Sequence, residues 1–201
     1  MNLAITKTSV GPMDNNAYLL ECRSTGARLL IDAANDAPVL LAQCSDRLDA
    51  VVTTHRHGDH WQALQEIVTA TGARTYAGRL DADGIPVSTD VLVDDGDTIQ
   101  FGQISLEAIH LVGHTPGSIA LLYRDPSVRH APQLFTGDCL FPGGVGNTWG
   151  DGAAFESLLD GVIAKVFDRL PDETVVYPGH GKDTTLGAER PSLQEWRARG
   201  W

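Results

Sequence analysis

Apolar and polar positions alternate in short runs along this chain, with turn residues between them. AYLLEC (17–22) and RLLIDA (28–33) read as strands joined around Ser24-Thr25-Gly26, since short apolar runs bounded by turn formers favour extended backbone. DAPVLLAQCSDRL (36–48) has helical spacing, LDAVVTT (48–54) is β-rich, and WQALQEIVTATG (61–72) reads as a helix ending near Gly72. TDVLVDDGDTIQFGQISLEAIHLV (89–112) alternates in strand fashion, with Asp95-Gly96 as a hairpin signal. SIALLYRD (118–125) and QLFTGD (133–138) add two strands, and ETVVYPGH (173–180) a last one. AFESLLDGVIAKVFDRL (154–170) is the strongest helix, ended by Pro171. Strand clusters alternate with helices in both halves, so the expectation is an α/β chain with helices outside two sheets.

Composition narrows the class. A chain of 201 residues supports one sizeable core and is too short for two, so a single domain over 1–201 is expected. Its last stretch, 181–201, reads as a short helical tail carrying Arg190, Arg197 and Arg199. The net charge of −11 argues against affinity built on phosphate neutralisation, and hence against nucleic-acid partners. Cys22, Cys44 and Cys139 form no C-x-x-C pair, which fits a reducing compartment. The amino end, MNLAITKTSVGPMDN, lacks the apolar core of a signal peptide, and no run has the length of a membrane span. A cytoplasmic protein with a small-molecule substrate is expected; the sequence leaves its oligomeric state open.

The chemistry concentrates in THRHGDHW. Of seven histidines, His55, His57 and His60 crowd together here with Asp59. A helix would scatter these side chains, whereas a loop leaving the VVTT strand can turn them towards one point. Imidazole with carboxylate suits Zn, Mn or Fe rather than calcium. His114 in HLVGHTPGS, Asp138 in LFTGDCL and His180 in VVYPGHG share one context: strand, glycine-containing loop, potential ligand. Open α/β sheets gather their sites beyond strand ends.

H-x-H-x-D-H, G-H-T-P-G-S, T-G-D and P-G-H-G together resemble the metallo-β-lactamase-fold superfamily, and within it the glyoxalase II (hydroxyacylglutathione hydrolase) group. The resemblance implies a four-layer αββα sandwich. It also implies two divalent metal ions, with zinc as the first choice and iron or manganese compatible. By position, His55, His57 and His114 would hold one ion, Asp59, His60 and His180 the other, and Asp138 would bridge them. Asp59 and Asp138 are then the carboxylates placed to act in catalysis, and Asp32 would support the histidine loop from behind. The implied reaction is thioester hydrolysis by a water activated between the ions, with a thiolate of ordinary pKa, about 8.5, as leaving group.

Some features depart from the glyoxalase II pattern. The tail is too short for that group's helical carboxyl-terminal domain, and GHGKDTT lacks its tyrosine, so the identity of the thiol stays open. Persulfide dioxygenases with one iron, and lactonases, share the fold and the H-x-H-x-D-H segment. An inert metal-stabilised binding module is the non-catalytic alternative. Cys139, beside Asp138, is expected to be a small buried hydrophobe rather than a ligand. His110 and His130 are expected to be structural or surface residues. The loop FPGGVGNTWG (141–150) lacks the phosphate-cradle pattern and reads as a rim, with Phe141, Asn147 and Trp149 placed to touch substrate and Lys182 as a further candidate.

Overall fold

Side chains alternate faces along a strand, and here that alternation divides the apolar residues among three cores. The computed structural model describes residues 2–44, 47–125 and 130–200. Strands β1 (Leu3–Val10), β2 (Asn15–Cys22), β3 (Arg28–Ile31), β4 (Ala50–Thr53), β5 (Arg74–Gly78) and β6 (Val91–Val93) form one sheet in chain order. The second sheet begins with β7 (Thr98–Phe101), β8 (Ile104–His110), β9 (Ile119–Tyr123) and β10 (Gln133–Gly137). A small ribbon of β11 (Leu140–Phe141) and β12 (Gly144–Val145) follows. The chain then returns as β13 (Val175–Pro178) beside β10 and β14 (Thr184–Thr185) at the edge.

Tyr18, Leu20, Leu29, Ile31 and Val52 meet Ile99, Leu106, Leu121 and Phe135 in a core between the sheets. The alternate residues Leu19, Leu30 and Val51 belong to the cluster shared with helices α1 (Ala37–Cys44) and α2 (Leu64–Thr71). On the far side, Ile109, Leu122, Leu134 and Val176 pack with Phe155, Leu158 and Leu159 of α3 (Gly152–Val162). The layers are therefore helix, sheet, sheet, helix, the αββα order the sequence motifs imply.

The tail continues as α4 (Leu186–Glu189), a 3₁₀ turn and α5 (Leu193–Arg199). It docks through buried Trp196, beside Phe167, and through Arg197, which pairs with Glu156 and Asp160 on α3. No helix among the described residues is long and apolar enough to cross a membrane.

Local pattern and structure part at three places. Asp95-Gly96 makes no hairpin: β6 pairs in parallel with β5 in the first sheet while β7 joins the second, so this turn lies in the crossover. The hairpin closes instead at Gly102-Gln103, with Phe101 opposite Ile104 and Gly102 at φ 54°. Turn chemistry is local, whereas the sheet a strand joins is decided by partners distant in sequence. The strong helix starts at Gly152, capped by Asp151 accepting from the amides of Ala153 and Ala154, and widens into a π-helical turn over Ile163–Phe167. β1, β5 and the two-residue strands β11, β12 and β14 are strands the sequence reading did not mark.

Candidate metal centre

Each candidate ligand is delivered by the end of a strand. Asp32 follows β3, residues 55–60 follow β4, His114 lies in the loop from β8 to β9, Asp138 follows β10 and His180 follows β13. The fold brings all seven candidate ligands together: His55, His57 and His114; His55, His60 and Asp138; and Asp59, His60 and His180 each place ligand atoms within 4.8 Å of one another. His57 Nδ1 is 3.0 Å from His114 Nε2, which is 3.3 Å from His55 Nε2. Asp138 stands between the sets, with Oδ2 3.6 Å from His114 Nε2 and 3.5 Å from His180 Nε2, and Oδ1 3.4 Å from His60 Nε2. His180 Nε2 is 3.2 Å from Asp59 Oδ2.

The outward nitrogens of three rings are already used. His60 Nδ1 donates to Asp32 Oδ2 at 2.9 Å, His114 Nδ1 to the Asn147 carbonyl at 2.9 Å, and His180 Nδ1 to the Met13 carbonyl at 2.9 Å. An imidazole that donates outward presents its other nitrogen inward as a ligand. Two of the inward atoms, His60 Nε2 and Asp138 Oδ1, are buried and have no hydrogen-bond partner among the described residues. Leaving such atoms unsatisfied costs about 1–3 kcal/mol each, a cost that a cation between them would remove. Five imidazoles and two carboxylates with these vacant inward atoms fit a pair of divalent cations.

Electrostatics favour the same reading. Burial, with the charge of His60 beside it, holds His55 well below the usual imidazole value; burial also lowers His57 and His114. Burial alone would raise Asp138, but the His180 and His60 imidazoles outweigh it and keep the carboxyl well below its ordinary range. His60 is the converse: burial opposes its charge, but the Asp32 and Asp138 carboxylates prevail and raise it to about 10. The bond to Asp138 raises His180 against its burial.

Asp32 lies behind the histidine loop. It sits at φ 57°, in the left-handed region, and Oδ1 accepts from the Thr54 amide at 2.7 Å. Oδ2 accepts from the Thr54 hydroxyl at 2.8 Å as well as from His60. Two supporting residues carry no signal in the sequence pattern. Buried Asn15 donates its amide to Asp59 Oδ2 at 2.9 Å, and Asp81 lies fully buried beside the histidine loops. An asparagine opening a strand and an aspartate in a turn look like ordinary turn residues. Gly179 is dictated by close approach: a Cβ there would stand 2.3 Å from Asp138 Oδ1 and 2.7 Å from His60 Cε1. Gly179→Ala is therefore expected to weaken metal binding by about 10–100-fold, measured by chelator competition. Wild-type affinity in that variant would contradict the crowding.

The rim candidates surround this centre. Trp149, 65% exposed and at φ 53°, stacks on His114 with centroids 5.4 Å apart and stands edge-on to His57. Asn147 holds it there, its side-chain oxygen accepting from the Trp149 amide at 2.7 Å. Phe141 and exposed Lys182 line a cleft of about 340 Å³ with Asp138 and His180. A bulky residue held in the left-handed region beside the ligands marks a site of constraint. Trp149→Ala is expected to raise KM by roughly 3- to 10-fold on the true substrate, and unchanged KM and kcat would remove Trp149 from the rim.

Outside the centre, His110 Nε2 donates to the Pro116 carbonyl at 2.7 Å, a structural tie. His130 belongs to none of the ligand groups. Cys139 packs in the core beneath α3, its thiol pushed up to about 12 by burial.

Residues 10–180 match the family described as the metallo-beta-lactamase superfamily. A hydroxyacylglutathione hydrolase of Fuscovulum blasticum is 36% identical over 170 residues, which are 83% of this chain and 62% of that protein, so the chain spans less than two thirds of that relative's length. Among solved structures, ETHE1 from Myxococcus xanthus superposes with a TM-score of 0.81 at 26% identity, over 97% of this chain and 85% of that one. TTHA1623 in a di-iron-bound form superposes at 0.75 and 32% identity, over 92% and 96%. The layers, the strand-end ligands and these matches lead to one conclusion: this chain belongs to the metallo-beta-lactamase superfamily.

Proposed function

We propose that this chain is a metal-dependent hydrolase that cleaves a small thioester, holding two divalent cations with zinc as the first choice and iron or manganese compatible. The observation that carries the metal reading is the partnerless pair His60 Nε2 and Asp138 Oδ1 at the centre of seven convergent ligands. The thioester reading is supported by relatives named hydroxyacylglutathione hydrolase at 34–36% identity. His55, His57 and His114 would hold one ion, Asp59, His60 and His180 the other, and Asp138 both. Bound there, the cations would supply Lewis acidity towards a carbonyl oxygen and a lowered pKa for water.

The chain's own residues do the rest. Asp32 and Asn15 fix the directions of His60 and Asp59, so that the ligand set needs little reorganisation when loaded. Trp149 shields the open side of His57 and His114, and Phe141 gives the cleft an apolar wall against which an acyl or thiol chain can lie. A thiolate, with a pKa of about 8.5, leaves without a strong general acid. That agrees with a cleft lining in which His180, among the described residues, is the imidazole present and is itself a ligand.

The test is metal analysis with a substrate panel: S-lactoylglutathione, other thioesters, a lactone, a cephalosporin, and glutathione persulfide under oxygen. Thioester turnover with about two metals per chain and no oxygen uptake is the expected result. Oxygen uptake on the persulfide with a single iron would replace this reading by a dioxygenase. Preferred turnover of the lactone would make the chain a lactonase, and a loaded but inert protein would make it a binding module.

A further inference from the structure

Asp81 follows β5 at a turn, its side chain wholly withdrawn from solvent, and its hydrogen-bond donors Arg56, Thr115 and Gly117 are not themselves candidate ligands. Its partners nonetheless belong to the two loops that carry His55, His57 and His114. Oδ2 accepts from the backbone amide of Arg56 at 3.0 Å and from the hydroxyl of Thr115 at 2.5 Å, and Oδ1 accepts from the amide of Gly117 at 2.9 Å. Arg56 is the residue between His55 and His57, and Thr115 follows His114 directly. The Arg56 guanidinium also lies 3.9 Å from Oδ1. Gly117 can come this close because it has no side chain: a Cβ would stand 2.3 Å from the Asp81 amide nitrogen.

Burying a carboxyl group is costly unless donors surround it, and all three hydrogen-bond partners here are donors. The group therefore bridges the two loops. Asp32 makes a different clamp, reaching His60 directly and His55 through Thr54. The two carboxylates divide the centre between them.

We propose that Asp81 is a positioning residue for the three-histidine half of the metal centre, fixing His57 against His114 across the two loops. This rests on the reading of the seven side chains as a metal site. Asp81→Asn preserves shape but turns an NH2 group towards a donor, because a carboxylate only accepts and an amide must do both. The loops then separate, and the ion held by His55, His57 and His114 is weakened, while the set of Asp59, His60 and His180 keeps its support from Asp32 and Asn15.

The experiment is a Zn²⁺ titration of the full chain, followed by calorimetry and by the imidazole nitrogen signals of each histidine, for wild type, Asp81→Asn and Asp32→Asn. In Asp81→Asn, one equivalent should weaken by about 10–100-fold, with the His57 and His114 signals responding late and those of His60 and His180 at wild-type concentrations. Asp32→Asn should instead delay His60 and, through Thr54, His55, leaving His57 and His114 at wild-type concentrations. Equal weakening of both equivalents, or none, overturns the proposal. If Asp81→Asn gives no cooperative melt, Thr115→Val carries the same test, with a smaller delay expected at His57 and His114 and an unchanged titration overturning it. A wild-type chain that binds no Zn²⁺ at all would instead sink the metal site itself, a result distinct from every variant outcome.

Discussion

Replacing Asp138 with alanine is expected to abolish the metal pair and turnover together. Asp138 supplies the carboxylate that faces both ligand sets, within 3.4–3.6 Å of nitrogens on His60, His114 and His180. Alanine leaves the three imidazole-bearing loops in place but removes the negative charge proposed to hold two cations side by side. Electrostatic groups of this kind are worth on the order of 10²–10³-fold in kcat even when only one contact is lost. Here the loss of an ion comes in addition, so a fall of at least about 10³-fold is expected. His60, wholly buried and raised to about 10, would keep Asp32 as its counter-charge, which preserves the fold. Asp138→Asn sharpens the experiment, since it keeps the volume and removes the charge. Metal content by mass spectrometry and kcat on the best thioester are the measurements. Two metals per chain with ordinary turnover in either variant would overturn the bridging role.

What the sequence made legible follows from how local each signal is. His55, His57, Asp59 and His60 were visible because scarce imidazoles crowd one loop, and His114, Asp138 and His180 because each closes a strand with glycine nearby. Helices outside two sheets were legible from strand clusters alternating with helices, and the four-layer order from the motifs' resemblance; that Leu20 turns inward and Leu19 outward needed the fold. Asp81 was not legible, because its partners lie 25, 34 and 36 residues away and no spacing announces them. Asn15 has the same difficulty across 44 residues. The Asp95-Gly96 signal failed for a related reason: β6 gains its main-chain partner from β5, not from the strand that follows it. Rim residues were legible only as positions; the stacking of Trp149 on His114 needed the fold.

Removing the metals should cost the protein stability as well as activity, and by more at high pH than at neutral pH. A ligand that binds only the folded chain at about 1,000 times its Kd stabilises it by about 4 kcal/mol. For a chain of this size that corresponds to roughly 8–16 °C in Tm for one ion, and chelation should lower the melting temperature by at least that much. The pH dependence comes from His60 and, in the same direction, from His180, which its bond to Asp138 also raises. The His60 pKa is raised in the ion-free fold, from an unfolded value near 6.5 to about 10, because Asp32 and Asp138 flank it. A raised folded pKa contributes stability that is fully present below about pH 6.5 and is lost as pH climbs through 10. His55, His57 and His114 have lowered values and are already neutral at pH 7, so they add no slope above it. The chelated protein therefore loses the His60 contribution between pH 7 and 10. The loaded protein does not, since a cation takes the place of the proton at Nε2 and binds more tightly as the competing proton leaves. The gap in Tm between loaded and chelated protein should widen steadily over that interval. Melting curves at pH 7, 8 and 9, with and without chelator, measure it. A gap that narrows with pH would mean that His60 carries no proton in the ion-free chain, and that Asp32 orients the ring without charging it.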